Sequence, residues 1–154
     1  MSGRDQADRL WFNNNHAEIV VAHRDNADGL SVIDMMLPFD EAPPLHVHHE
    51  EDEVFHILAG EIRFSVDGGL RTVRAGDTLL APRGIPHGFR VLTPAGARML
   101  VITRGGFEAV VRAVSRPAAV AGLPEQVAPS QEVQAELTRQ CALRKIDIVG
   151  PPIN

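Results

Sequence analysis

A chain of 154 residues is long enough for one domain with its own core, and 44% hydrophobic with 23% charged residues is ordinary globular composition. A net charge of −5 with scattered arginines argues against nucleic acid or an anionic membrane as partner. Cys141 is the only cysteine, which excludes an internal disulfide and a thiolate metal cluster. The opening MSGRDQADRL lacks an apolar h-region and no apolar run approaches a membrane span, so the expectation is a soluble, cytoplasmic protein.

Residues 1–16 read as an N-terminal arm, in which Trp11 and Phe12 are expected to cover a cavity mouth or pack at an interface. Residues 17–106 read as short apolar segments punctuated by Gly, Pro and Asp. AEIVVAH and LSVIDMML are candidate strands separated by RDNADG. VFHIL follows an acidic turn, and EIRFSV alternates Ile62, Phe64 and Val66 against Glu61, Arg63 and Ser65, the pattern of a strand with one buried face. Asp67-Gly68-Gly69 predicts a hairpin turn. LRTVRAGDTLLAP gives two strands about a turn at 75–77, and HGFRVLTPAGARMLVITR two more about 94–96. Many short strands at this spacing predict a sandwich or barrel.

Residues 107–154 read as an extension. Ser130 is a candidate N-cap for a helix near 131–144, with Val133, Leu137 and Cys141 on one face. That placement makes Cys141 a small core residue and not a nucleophile. KIDIVGPP closes the chain as an extended piece.

Four of the seven histidines and four carboxylates fall within eleven positions, His46 to His56. On a strand, side chains two apart share a face, so His46 and His48 project together while His49 takes the opposite parity and faces solvent. Glu53 begins the next strand and can return a carboxylate over the same face. Two imidazoles and a carboxylate so arranged can bind a first-row divalent metal. A fourth ligand must come from elsewhere, and the candidate is His87, behind the rigid turn Pro82-x-Gly84. An HxH pair flanked by glutamates also occurs in solvated loops, so this pair alone decides nothing.

The combined spacings resemble a known family. His46-x-His48-x4-Glu53-x6-Gly60 resembles the first cupin motif, and Gly76-x5-Pro82-x-Gly84-x2-His87 the second. Two positions depart: Asp40 stands where a glycine is often found, and Val91 where an asparagine is. Flanking strands and the DIVGPP ending resemble small single-domain cupins of the quercetin-dioxygenase-like group. The resemblance implies an all-β fold, the cupin conserved β-barrel (a double-stranded β-helix of jelly-roll type) over 17–106, with a C-terminal helical appendage.

It also implies that His46, His48, Glu53 and His87 hold one divalent metal ion, with Fe, Mn, Ni, Co, Cu and Zn all compatible, and that open coordination positions remain for a guest. Glu53 would then be catalytic, accepting a proton from an enol or hydroxyl. Strand parity adds Phe55, Ile57 and Phe89 as pocket walls, with Met36 and Asp34 as further candidates. His56 is expected on the barrel exterior; His16 and His23, without companion ligands, are expected at the surface. The leading expectation is a metal-dependent dioxygenase for a small aromatic or enolisable compound. A redox-neutral zinc-type isomerase, lyase or polyketide cyclase is the second, and a non-catalytic small-molecule-binding cupin the third. A small-molecule substrate and a homodimer complete the expected partners, with neither nucleic acid nor membrane among them.

Overall fold

The computed structural model describes residues 8–154; positions 1–7 of the expected arm lie outside the described residues. The strands in chain order are β1 (Arg9–Phe12), β2 (Asn15–Val21), β3 (Ser31–Leu37), β4 (Leu45–His48), β5 (Glu53–Ala59), β6 (Glu61–Val66), β7 (Gly69–Arg74), β8 (Thr78–Ala81), β9 (His87–Val91) and β10 (Ala97–Thr103). Helix α1 (Gly106–Val114), strand β11 (Arg116–Pro117), helix α2 (Gln131–Leu143) and strand β12 (Ile146–Gly150) follow. They form two antiparallel sheets, ordered β11-β1-β2-β3-β10-β5-β8 and β12-β4-β9-β6-β7. The two sheets face each other as a jelly-roll barrel, the all-β fold expected from the sequence. The C-terminal stretch carries the helices, yet its last strand is also an edge of the smaller sheet, paired with β4.

Alternation explains the core. On β3, Ile33, Met35 and Leu37 point inward; Phe55 and Ile57 do so on β5, Ile62 and Phe64 on β6, Phe89 and Val91 on β9, and Met99 and Val101 on β10. Phe64 sits between Phe55 and Phe89, with ring centroids 4.8 and 5.5 Å away. Burying each such ring stabilises the fold by about 1.5–3 kcal/mol.

Turn chemistry fixes register. Val66 pairs with Gly69, leaving Asp67 and Gly68 as a two-residue turn with φ of 52° and 79°, the left-handed pair that hairpin twist favours. Gly60, the last residue of the first motif, has φ 83°, and a Cβ there would lie 2.7 Å from the Gly96 carbonyl oxygen. Asp40 has φ 65°, so the position where the resembling family often carries glycine does need left-handed backbone here; aspartate tolerates it better than most residues, and its carboxylate pairs with Arg90.

Helix α2 starts as expected, with Ser130 Oγ accepting from the Val133 amide at 3.2 Å. Its inner face differs from the expectation. Leu137 packs on the core, whereas Val133 is 46% exposed, because the helix lies over a cavity and not over filled core.

Helix α1 holds a buried acid. Glu108 is fully buried and receives hydrogen bonds from the His23 amide (3.1 Å), the Ser31 hydroxyl (3.0 Å) and Arg112 (3.4 Å), and the His23 ring Nδ1 closes on its other oxygen. Burial pushes its pKa up, but the hydrogen bonds from His23 and Ser31 outweigh that and hold it below the usual value. Glu108→Ala strands these donors inside the fold; denaturant unfolding should register a loss of about 2–4 kcal/mol.

His16 corrects the expectation of a surface residue. It is 5% exposed on the outer face of β2, opposite Trp11 and Met36. Burial lowers its pKa from 6.5, outweighing the carboxylates of Glu18 and Asp34. The unfolded chain therefore binds this proton first as pH falls, so the contribution of His16 is intact above about 6.5 and declines below it. Melting temperatures recorded from pH 7 to 5 should fall less steeply for His16→Leu than for the parent protein.

Candidate metal centre

Three imidazoles come from the smaller sheet and one carboxylate from the larger. His46 on β4 lies directly opposite His87 on β9, and His48 sits two residues along β4, level with Ile146 of β12. Glu53 opens β5 on the facing sheet, where it pairs with Ala81. The ligand atoms of these four residues all lie within 4.8 Å of one another. His87 Nε2 is 2.7 Å and His48 Nε2 3.1 Å from Glu53 Oε2. The imidazole centroids of His46 and His87 are 4.4 Å apart.

The far side of each ring is held. His46 Nδ1 is 2.7 Å from the Pro44 carbonyl, His87 Nδ1 is 3.3 Å from the Ile85 carbonyl, and His48 Nδ1 is 3.4 Å from Glu51 Oε2. A carbonyl accepts only, so Nδ1 carries a proton in His46 and His87, which leaves Nε2 as the nitrogen turned toward the centre. His48 Nε2 is buried and makes no hydrogen bond. An unsatisfied nitrogen of this kind, beside two more imidazoles and an acid, fits a divalent cation.

Electrostatics point the same way. Burial, reinforced by neighbouring His87, pushes the His46 pKa down to about 4, so its ring is neutral at pH 7. Burial also opposes the charged form of His48, but Glu53 and Glu51 outweigh it and the net direction is upward. Glu53 would be raised by burial; His48, His87 and His46 overcome this and bring it to about 2, so it is anionic at neutral pH.

His46, His48 and Glu53 line a cavity of about 1070 Å³ between the barrel and its C-terminal segment. Phe55 and Phe89 line it, as expected from parity. Ile57 does not: it is wholly buried among core residues below the cavity wall. Met36 and Asp34 also need correction. Both lie on the outer face of β3, where Arg98 grips Asp34 through Nε at 2.9 Å and NH2 at 2.6 Å, and Met35 is the residue that reaches the cavity.

Phe12 lines the cavity and packs edge-on against Phe107 at 6.0 Å, whereas Trp11, the preceding residue on β1, is not in the lining and donates to the Gly122 carbonyl at 2.8 Å. Cys141 lines the cavity too, and burial pushes its thiol up to about 11, which keeps it protonated and unreactive at neutral pH. His49 and His56 face outward, bonded to Asp147 and Thr78. His23, expected at the surface, is partly exposed but tied to Glu108. Among the described residues, no helix is long and apolar enough to cross a membrane.

Sequence reasoning missed Glu51. It is buried (4% exposed) and touches the ligand His48, yet in the sequence it is one acid in the run Glu50-Glu51-Asp52-Glu53. Only its three-residue offset from His48 could have suggested contact.

Two facing antiparallel sheets with a 3-His/1-Glu cluster at the inner end of the barrel define a cupin, and residues 33–103 match the family described as Cupin domain. The chain thus carries a cupin domain over residues 33–103. It is 27% identical over 86 residues to quercetin 2,3-dioxygenase of Bacillus subtilis (strain 168), an alignment covering 56% of this chain and 26% of that enzyme. The chain thus spans only about a quarter of this relative's length. Similar solved folds include the Cnp3 cupin domain of Schizosaccharomyces pombe (TM-score 0.55, 14% identity, 61% of this chain and 66% of that one). Another is an RmlC-like cupin from Shewanella frigidimarina (TM-score 0.51, 19% identity, 71% and 84%).

A centre of this kind binds in proportion to its complete donor set. His87→Ala and Glu53→Ala should each reduce the metal content found by elemental analysis, from about one equivalent to a small fraction, while circular dichroism retains the β spectrum.

Proposed function

We propose that this cupin is a metal-dependent dioxygenase for a small aromatic or enolisable compound. The observation that carries the reading is the convergence of three oriented imidazoles and one carboxylate at the end of a largely apolar cavity. Four protein ligands leave room on a five- or six-coordinate ion. A divalent metal held by His46, His48, Glu53 and His87 would supply Lewis acidity toward an enol or phenol hydroxyl.

The chain's own residues do the rest. Glu53, anionic at neutral pH, is placed to accept a hydrogen bond or a proton from that hydroxyl. Met35, Phe55, Phe89, Met99 and Phe107 offer apolar walls to a ring and displace water around the reacting end. The deprotonated, electron-rich substrate is the kind of molecule into which both atoms of dioxygen can be inserted. The similarity to a quercetin dioxygenase supports this choice of reaction class, over the aligned part only.

The test is turnover of flavonols and 1,3-diketones by metal-loaded protein with and without dioxygen. The expectation is one dioxygen consumed per substrate, and no product under anaerobic conditions. Turnover that persists without dioxygen in zinc-loaded protein overturns the proposal in favour of a redox-neutral isomerase, lyase or cyclase. Stoichiometric binding without any product overturns it in favour of a binding module.

A further inference from the structure

Glu51 lies in the tight turn between β4 and β5, three residues after one metal-site histidine and two before the metal-site acid. Its carboxylate is buried and has four partners. Oε1 accepts from the backbone amides of Arg104 (3.3 Å) and Gly106 (3.2 Å), and Oε2 from the amide of Phe107 (3.1 Å). Oε2 also stands 3.4 Å from His48 Nδ1. Three of these contacts fall at or just before the start of α1, whose first amides have no partner within the helix.

Local sequence offers α1 no cap. The N-cap residue is Gly105, with φ 100° and no side chain to accept a hydrogen bond. The acid that serves instead comes from more than fifty residues earlier, and its charge suits the positive end of the helix dipole. Gly106 makes the approach possible, since a Cβ there would lie 2.5 Å from Glu51 Oε2. The next residue, Phe107, lines the cavity, and its ring centroid is 6.3 Å from that of His48.

We propose that Glu51 is the positioning residue of the metal centre, one carboxylate that fixes the His48 ring and, by capping α1, ties the cavity wall to a metal ligand. A carboxylate on the remote nitrogen of a ligand imidazole sets its tautomer and raises its basicity, and losing such a partner weakens metal binding 10- to 100-fold in typical sites. Because the same oxygen also holds the Phe107 amide, ligand orientation and helix docking depend on each other. This inference rests on the reading that His46, His48, Glu53 and His87 hold a metal.

The experiment is zinc titration against a competing chelator for the parent protein, Glu51→Gln and Gly106→Ala, each checked by apo-state thermal melting. Glutamine keeps an acceptor oxygen but not the charge. Glu51→Gln should bind zinc about 10- to 100-fold more weakly. Gly106→Ala, whose new methyl displaces the Glu51 carboxylate, should shift affinity the same way although residue 106 is not a ligand. Cobalt(II) added to Glu51→Gln should show an altered visible absorption spectrum. In the parent protein zinc should slow hydrogen exchange at the Gly106 and Phe107 amides, an effect that Glu51→Gln loses.

A purely structural Glu51 would lower the apo melting temperature yet leave zinc affinity and the cobalt spectrum unchanged, and that result overturns the proposal. A parent protein that takes up no zinc or cobalt removes the metal centre itself and this inference with it. A parent that binds tightly, alongside variants that bind equally tightly, removes the role of Glu51 alone.

Discussion

The structure turns on an opposition between two sheets: cross-strand imidazoles on one and a single acid on the other, with His87 Nε2 2.7 Å from Glu53 Oε2 inside the barrel. Barrel closure and donor convergence are therefore one event. An isolated carboxylate as buried as Glu53 would cost several kcal/mol, and desolvation makes the His46 imidazole resist protonation. Together they balance only in part, since His46 stays neutral while His48 is pushed toward its charged form. A fold that accepts this polar cluster in place of leucine and phenylalanine gives up stability there, which is the usual mark of a functional site. The surrounding core compensates, with Phe55, Phe64 and Phe89 packed on one another at tilted and edge-on angles and Phe55 meeting the His87 ring edge-on at 6.0 Å.

The ligand set was legible because strands impose a period of two and turns impose fixed offsets. His46 and His48 had to share a face, and a short acidic turn had to return Glu53 over it. His87 could be named from the rigid Pro82-x-Gly84 turn and from the family spacing, but its pairing with His46, 41 positions away, was not readable from the sequence. The hairpin at Asp67-Gly68 and the Ser130 cap were legible for the same local reason: the responsible atoms are neighbours in the chain.

What sequence misplaced depended on distant partners. SVIDMML carries apolar residues at both parities, so its sequence does not say which face is inner, and Met36 and Asp34, open candidates for the pocket, lie on the outer one. The resolving contact is Arg98 on β10, 64 residues away from Asp34. Burial along β2 runs through Asn15, His16 and Ala17 without alternation, so no periodic rule would have hidden His16. Helix α1 escaped notice because it begins at two glycines, contains three valines and borrows its cap from Glu51. Each is a tertiary effect overriding a local signal.

The C-terminal segment relates to the metal centre differently from the barrel. None of the four donors lies on α1, α2 or the loop between them. That loop is held to the β1–β2 turn mainly by polar contacts: Asn14 exchanges hydrogen bonds with Val127 at 2.9 and 3.2 Å, and Gln126 donates to the Asn14 carbonyl at 3.1 Å. Helix α2 has no fully buried residue. Exposed hydrogen bonds and sparse apolar anchoring place this cover at the low end of local stability, whereas the strands bearing the ligands belong to the core. Two paths join the C-terminal segment to the donors, and one is β12, which follows α2 and pairs Ile146 with His48 and Ile148 with His46. The other is Glu51, which reaches from the α1 terminus to His48.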